Sequence, residues 1–507
     1  MSNRTKSQKN FIFSLVGTLT TIALGLVLPR LWIVSYGSEV SGLLNSLNDF
    51  LVYLGLFEAG VGTATMQALY KPIAQGNWED INGVLSATNG YLKKTGRWYF
   101  GGLMVLCFLY PLIVDSSLSY ATIFGAVFFS GIGNVVTFYI QGKYTYLLQT
   151  DGKLYITHTL TSLVYIANSL VKVLLIFLNC NIVFILATGF VIHCLQAVYI
   201  LWYVKKHYPN IRLDTPPNHA ALKQKNSVLL HQISGLIFSH TDVLILTVFC
   251  DLRVVSVYAL FKTVPTSLVK LINIPFSSIQ FSLGQTYQTD KPRYIRQIDL
   301  VDAYHSALVC GIFAATYYLF IPFIRLYTAG VTDANYIDPW LALLFVICSV
   351  LDRIRRPMQT TISFAGHYRQ TLSHTIAEST INLVASLIGV WLLGVYGVLI
   401  GTILALAYRT IVGTVYANRK LLDRGSGKTF LIHLTNIGCI LLLQVMMRWI
   451  FGGIAIDSYL VFAVVGLGCT CLSLLLTVGL QTLILPECRR FAGRMLSRIA
   501  RRISHKA

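Results

Sequence analysis

Apolar residues in this chain fall in long runs separated by short polar gaps, and the runs have the length of a bilayer crossing. About 20 mostly apolar helical residues cover the ~30 Å of hydrocarbon in a membrane. Fourteen such runs stand out, at 11–34, 42–69, 99–114, 119–141, 155–178, 181–203, 228–249, 254–284, 303–326, 337–352, 376–394, 397–417, 430–451 and 458–485. Backbone groups in hydrocarbon have no water to bond, so runs of this kind predict α-helices. The expected fold is an all-α integral membrane protein of about 14 transmembrane helices. The polar, basic opening Met1–Asn10 leads into the first run with no small-residue cleavage site, so it reads as a retained first helix.

The runs also repeat. Shifting residues 11–203 by 215 positions lays the first six runs on the next six. Leu31, Val40, Ser41 and Leu56 then fall on Leu246, Val255, Ser256 and Leu271. Six-helix repeats in one orientation predict two lobes related by an axis along the membrane normal. The expected domains are an N-terminal six-helix lobe at 1–203 and a polar cytoplasmic linker at 204–226, with Pro209, Pro216 and Pro217. A C-terminal six-helix lobe at 227–418 and an extra helix pair with its preceding loop at 419–485 follow. The last segment, 486–507, spaces Phe491, Met495, Leu496, Ile499 and Ile503 helically among arginines. It reads as a basic amphipathic helix on the anionic cytoplasmic leaflet, or more simply as a positive anchor.

Composition agrees with a membrane. Of 507 residues, 55% are apolar and 12% charged, with a mean hydropathy of +0.64; soluble domains carry about 25% charged residues. The net charge is +20. With the N-terminus in the cytoplasm, the basic residues crowd into alternate gaps, as in Lys205, Lys206 and Arg212, or Arg353, Arg355 and Arg356. The outside gaps keep Arg253 and Arg325. This positive-inside asymmetry fixes an even number of crossings and both termini in the cytoplasm. It also argues against nucleic-acid binding, which needs basic residues clustered on a soluble face. The ten cysteines lie mostly inside apolar runs, without zinc-ligand spacing, and read as small buried residues.

The chain holds no P-loop, no G-x-S-x-G elbow, no H-E-x-x-H and no EF-hand loop. An enzyme is not expected, and transport driven by a proton or sodium gradient, without a bound cofactor, is the class that remains. Charges at membrane depth are costly unless they face a cavity or a partner. They are Arg30, Asp49, Glu58 and Lys172 in the first lobe, Asp242, Lys262, Lys270, Glu378 and Arg409 in the second, and Arg448 in the extra pair. Their cationic excess suits an anionic substrate, since Arg forks onto phosphate and Lys serves as a point charge. Snorkelling from helix ends competes with that reading for Arg30, Lys270 and Arg409. Runs two and eight hold corresponding places and carry breakers: Gly55, Gly60 and Gly62 in one, Pro265 and Pro275 in the other. Interrupted helices at matching places point to a cavity. Asn45, Asn48, Asn134, Gln141, Asn168, Gln196, Gln280 and Asn382 add hydrogen-bonding capacity, and His193, His231, His240 and His374 are proton-relay candidates. Taken singly, each of these polar residues fits helix packing as well.

The opening carries a family resemblance. Leu28-Pro29-Arg30, Tyr36-Gly37, Gly42 and the stretch from Leu54 to Ala64 resemble the start of bacterial polysaccharide exporters. These belong to the multidrug/oligosaccharidyl-lipid/polysaccharide (MOP) exporter superfamily. The stretch Thr241–Leu246 followed by Val255-Ser256-Val257-Tyr258 resembles the family's second-lobe opening. The resemblance implies a Wzx-type flippase of the bacterial inner membrane. Such proteins carry undecaprenyl-diphosphate-linked oligosaccharide between leaflets by alternating access, for O-antigen, capsule or exopolysaccharide. It implies Arg30, Lys262 and Lys270 at the diphosphate, and Glu58, Asp49 and Asp242 in ion coupling. Family members often carry another residue where Arg30 stands. The implied partners are the lipid-linked oligosaccharide, membrane lipids, and polysaccharide polymerase and chain-length proteins.

Three alternatives stand beside it. A multidrug or cation antiporter of the same superfamily shares the twelve-helix core but calls for an acidic or aromatic cavity. A polysaccharide polymerase or ligase calls for a large outside loop, and the longest one here, about Arg325 to Tyr336, is short. A lipid II flippase of the MurJ type has the same chemistry with a different sugar.

Overall fold

The computed structural model describes residues 3–58, 61–218 and 240–504. Gly60, Lys223, Lys225 and His231 lie outside the described residues, with 219–226 of the linker and 228–239 of the seventh run. The chain is a multi-pass, all-α membrane protein, and the described residues of the fourteen runs are almost wholly helical. In order the helices are α1 (Asn3–Leu54), α2 (Val61–Gln75), α3 (Trp78–Ile113), α4 (Tyr120–Val136), α5 (Gly142–Thr150), α6 (Leu154–Phe177) and α7 (Ile182–His207). After α8 (His240–Phe249) come α9 (Leu252–Thr289), α10 (Lys291–Tyr327), α11 (Pro339–Ile354), α12 (Arg356–Phe364), α13 (Leu372–Leu393) and α14 (Val395–Tyr416). The last three are α15 (Gly427–Phe451), α16 (Tyr459–Ile484) and α17 (Pro486–Ser504). Among the described residues ten continuous helical stretches, one of them running from α4 through α5 as Tyr120–Thr150, are long and apolar enough to cross a bilayer.

The first two runs join in α1, which bends sharply at Gly37 (φ 86°, ψ 169°). That backbone is open to glycine and strained for any residue with a Cβ. The second run is broken as expected: α1 stops at Leu54, a tight turn spans Gly55–Glu58, and α2 follows. The eighth run is not broken. Helix α9 continues through Pro265 and Pro275: each proline removes one N–H from the ladder, which a membrane helix tolerates, and hydroxyls add side-chain bonds close by. Thr266 Oγ1 donates to Lys262 O at 2.9 Å, and Ser278 Oγ to Ile274 O at 2.8 Å. Helix α3 begins about six turns before its apolar run. There the Asn77 side chain accepts from the amides of Glu79 and Asp80, whose own charges suit a helix N-terminus.

Helix bounds carry the sequence repeat. Shifted by 215, the ends of α3, α4, α5, α6 and α7 fall within six residues of those of α10, α11, α12, α13 and α14. The described chain divides into two compact units, Met1–Ala259 with Val331–Ala334, and Leu260–Gly330 with Asn335–Ala507. In the first, a core of Leu43, Leu47, Tyr99, Leu103, Val127 and Ile185 joins α1, α3, α4 and α7. In the second, α15 and α16 pack on α10 around Ala314, Leu443, Met447 and Cys469. Trp449 and Leu460 of this pair are 88% and 76% exposed, which suits side chains facing acyl chains rather than water.

A polar cavity among α1, α4, α6 and α7

Helix α1 beyond Gly37 has two working faces. Ser41, Leu44, Asn45 and Asn48 lie at helical spacing and line a cavity within the first unit. Ser46, Asp49 and Tyr53 lie on another face and bond to α8. The cavity measures about 350 Å³. Leu28, Pro29 and Trp32 line it from before the bend, Ser130, Gly133 and Asn134 from α4, Asn168 and Lys172 from α6, and Gly189, Phe190 and His193 from α7. Each helix contributes one stripe at i, i+3 or i+4.

Several of these polar groups are already positioned. Asn134 Nδ2 donates to the Tyr99 hydroxyl at 2.8 Å, His193 Nε2 meets Thr137 Oγ1 at 2.9 Å, and Asn45 Nδ2 donates to Ser41 O at 2.8 Å. Asn168 and Lys172, one turn apart on α6, are different. The Asn168 Oδ1 atom is buried and has no hydrogen-bond partner among the described residues. No carboxylate among the described residues lies within 4.0 Å of the Lys172 ammonium. Gly189 makes room for both: a Cβ there would sit 3.2 Å from Asn168 Oδ1 and 3.7 Å from Lys172 Cε. Among the described residues, no Asp or Glu lines the cavity. It is a cationic, amide-rich space, suited to an anion or to hydroxyl groups.

The carboxylates gather on the other face of α1. Asp49 Oδ1 meets His240 Nδ1 at 2.6 Å. The Tyr53 hydroxyl meets Thr241 Oγ1 at 2.6 Å, Ser46 Oγ meets Thr247 Oγ1 at 2.7 Å, and the Tyr258 hydroxyl donates to Asp242 Oδ2 at 2.8 Å. The consecutive residues His240, Thr241 and Asp242 make these bonds, so the two residues expected in ion coupling share one polar seam. The third, Glu58, stands apart at the α1 break and accepts a hydrogen bond from Tyr146.

The three residues expected at the diphosphate are not gathered in one unit. Arg30 follows the cavity residues Leu28 and Pro29 on α1 and is partly buried, whereas Lys262 and Lys270 lie on the part of α9 in the second unit. Lys262 is partly buried and Lys270 exposed. Glu378 and Arg409, also marked by depth, join a buried ion-pair cluster. Glu378 Oε1 lies 2.5 Å from Arg355 Nη1 and its Oε2 3.5 Å from Arg409 Nε. Sequence reasoning singled out Lys172, Asn168 and His193 one by one without joining them. The i, i+4 spacing of Asn168 and Lys172 inside an apolar run was the available signal. The sequence reading passes over the tyrosines at 53, 99 and 146, although Tyr53 stands one turn from Asp49, and names Tyr258 only within the second-lobe resemblance.

The helix order and the cavity invite comparison with solved structures. One described as "Lipid II flippase MurJ, inward closed conformation" superposes with a TM-score of 0.67, covering 92% of this chain and 98% of that chain at 13% identity. Another, an inward-facing multidrug resistance MATE family transporter of the MOP superfamily, reaches 0.55 over 79% and 95% at 16% identity. The chain has their fold. No protein-family model and no curated protein sequence matches it.

Proposed function

We propose that this chain is a transporter of the MOP superfamily, of Wzx type. In this reading it flips undecaprenyl-diphosphate-linked oligosaccharide across the bacterial inner membrane by alternating access. The observation that carries the reading is the cavity beside Lys172. Among the described residues it has a cation without a carboxylate partner, a buried amide oxygen without a donor, and no acidic lining residue. That chemistry suits a phosphorylated sugar and penalises a cationic drug. At about 350 Å³, near the lower end of ligand pockets at ~300–1,000 Å³, it has room for one headgroup-sized moiety rather than an oligosaccharide. Within the first unit, Lys172 therefore joins Arg30 as a cation that meets the substrate's anionic end; Lys262 and Lys270 are the cations proposed for that role in the second unit. Asp49 and Asp242, with His240 and the tyrosines around them, are the proton- or sodium-coupling seam, and Glu58 is a second coupling candidate.

A specific observation also favours a cation antiporter. The seam holds two carboxylates, Asp49 and Asp242, and the MATE structure shares the fold. Liposomes decide between the two. Leaflet movement of a fluorescent undecaprenyl-diphosphate oligosaccharide is measured in wild type, Lys172→Gln, Lys262→Ala and Glu58→Gln, with and without a proton or sodium gradient. Loss of movement in the lysine variants, and loss of gradient dependence in Glu58→Gln, supports the flippase. Efflux of small organic cations without lipid movement establishes the antiporter.

A further inference from the structure

A second site lies in the other unit, between the start of α10 and the C-terminal helix α17. Four arginines converge there: Arg293 and Arg296 from the first turns of α10, and Arg490 and Arg494, one turn apart, from α17. They line a cavity of about 440 Å³ with Gln297, Leu300, Phe491 and Glu487. Among the described residues, no carboxylate lies within 4.0 Å of any of the four guanidinium groups. The one acid in the cavity is engaged elsewhere, since Glu487 Oε1 meets Lys428 Nζ at 3.2 Å. Its carboxyl is held below the ordinary range, first by hydrogen bonding to its own backbone and then by Lys428 and Arg490. The cavity therefore keeps an excess of positive charge at neutral pH.

The arginine cavity continues into an apolar one. Gln297, Leu300 and Phe491 also line a channel of about 450 Å³, whose walls include Phe276, Ile279 and Leu308. From Leu300 to Leu308 the channel follows α10 for about 12 Å toward the apolar run, at ~1.5 Å per residue. Helix α17 is fixed over this junction. Cys488 is buried, the Phe491 ring lies 5.9 Å from that of Tyr304, and the Tyr304 hydroxyl donates to Cys488 O at 3.3 Å.

We infer that this bipartite groove binds an anionic phospholipid of the leaflet bordering the basic loops, its phosphate among Arg293, Arg296, Arg490 and Arg494 and one acyl chain in the channel beside Phe276 and Leu308. A cationic pocket at a helix end, opening into an apolar slot, matches the two halves of such a lipid. A soluble anion would leave the slot empty, and a free amphipathic helix would need no cavity. The site makes α17 a lipid-clamped strap on α10, and it does not depend on what the protein transports.

The test is native mass spectrometry of the full-length protein, released from nanodiscs of equimolar phosphatidylglycerol and phosphatidylcholine. Wild type is expected to keep one phosphatidylglycerol in preference to phosphatidylcholine. Arg490→Gln/Arg494→Gln and, separately, Arg293→Gln/Arg296→Gln are expected to weaken retention at least tenfold with an unchanged elution profile. Ser282→Trp, which fills the channel from its wall, lowers retention with every arginine in place. Arg419→Gln/Lys420→Gln, on another basic loop, leaves it unchanged. Equal retention of the two lipids, or an equal loss in the Arg419/Lys420 variant, overturns the site. Displacement of phosphatidylglycerol by added undecaprenyl phosphate at equal concentration reassigns the groove to a polyprenyl lipid and also overturns it.

Discussion

Asp49 of α1 and His240 of α8 meet at 2.6 Å, on the face of α1 next to the one that lines the polar cavity. Both side chains are mostly shielded, at 15% and 26% exposure. A pair so placed interacts more strongly than a surface ion pair, which contributes only about 0–1 kcal/mol. In a double-mutant cycle with Asp49→Asn and His240→Gln, read by thermal unfolding in detergent, the coupling should fall at about 1–3 kcal/mol. Additive effects would show that the contact does not hold α8 to α1.

The Glu378 cluster gives the opposite kind of prediction. Arg355 and Arg409 approach one carboxylate whose side chain is 9% exposed. Glu378→Gln takes that charge from Arg409, while Arg355 keeps Asp352 at 2.7 Å, so the cost should fall at about 3 kcal/mol, the low end for breaking a buried pair. The variant should lose stability first, and transport only as far as folded protein is lost. Wild-type stability with abolished transport would instead place Glu378 on the pathway.

Hydropathy made most of the fold legible, because an apolar run long enough to cross hydrocarbon has to be a helix. Its limits were local. Run eight contains two prolines, but each takes only one N–H out of the ladder, so α9 stays whole. Run three was read short because the polar first half of α3 is helical by its Asn77 cap rather than by apolar content. At the site, depth alone ranked Glu378 with Asp49, and the difference between them is tertiary. One meets arginines that neutralise it, the other a histidine and a tyrosine-lined seam. Lys172 was visible as a charge, but its place opposite Gly189 requires knowing how α6 packs on α7.

Glu39 supplies a pH prediction outside the membrane runs. Burial pushes its carboxyl up, but bonds from Ser116 and Ser117 in the α3–α4 loop, with Arg253 nearby, outweigh this and bring it below its ordinary value. A depressed carboxylate stabilises the fold fully above its unfolded-state value, and that contribution is lost as pH falls through the folded one. Unfolding midpoints taken from neutral to acid pH should therefore drop in wild type below the ordinary carboxylate range. Glu39→Gln should start lower at neutral pH and show a shallower acid slope; parallel curves would remove Glu39 from the account.

Gly189 tests whether the cavity must stay open. A leucine there would push first against Asn168, 3.2 Å from the Cβ position, and then against the Lys172 stem. Gly189→Leu should lower lipid movement at least tenfold while the protein still elutes as a folded species. Gly438→Leu, on α15 where a Cβ meets nothing within 4 Å, is the control and should transport normally. Equal activity in the two variants would mean that substrate does not use this cavity.

Lys172 separates function from stability most sharply. Residues that hold a fold together lose stability when replaced, whereas a partly buried cation without a carboxylate partner already carries a desolvation cost. Lys172→Met keeps the length of the stem and removes the charge. It should raise stability by about 1 kcal/mol, less than the about 2.5–3.5 kcal/mol a lysine costs at the helix centre on insertion scales, because Lys172 stands five residues from the end of α6. The same variant should move the diphosphate lipid at least tenfold more slowly, and Lys172→Arg should restore part of the rate by keeping a phosphate-binding charge. Thermal unfolding and the liposome assay on one preparation read both quantities. Loss of stability in Lys172→Met would make the lysine a packing element with a partner, and full transport would remove it from the substrate path.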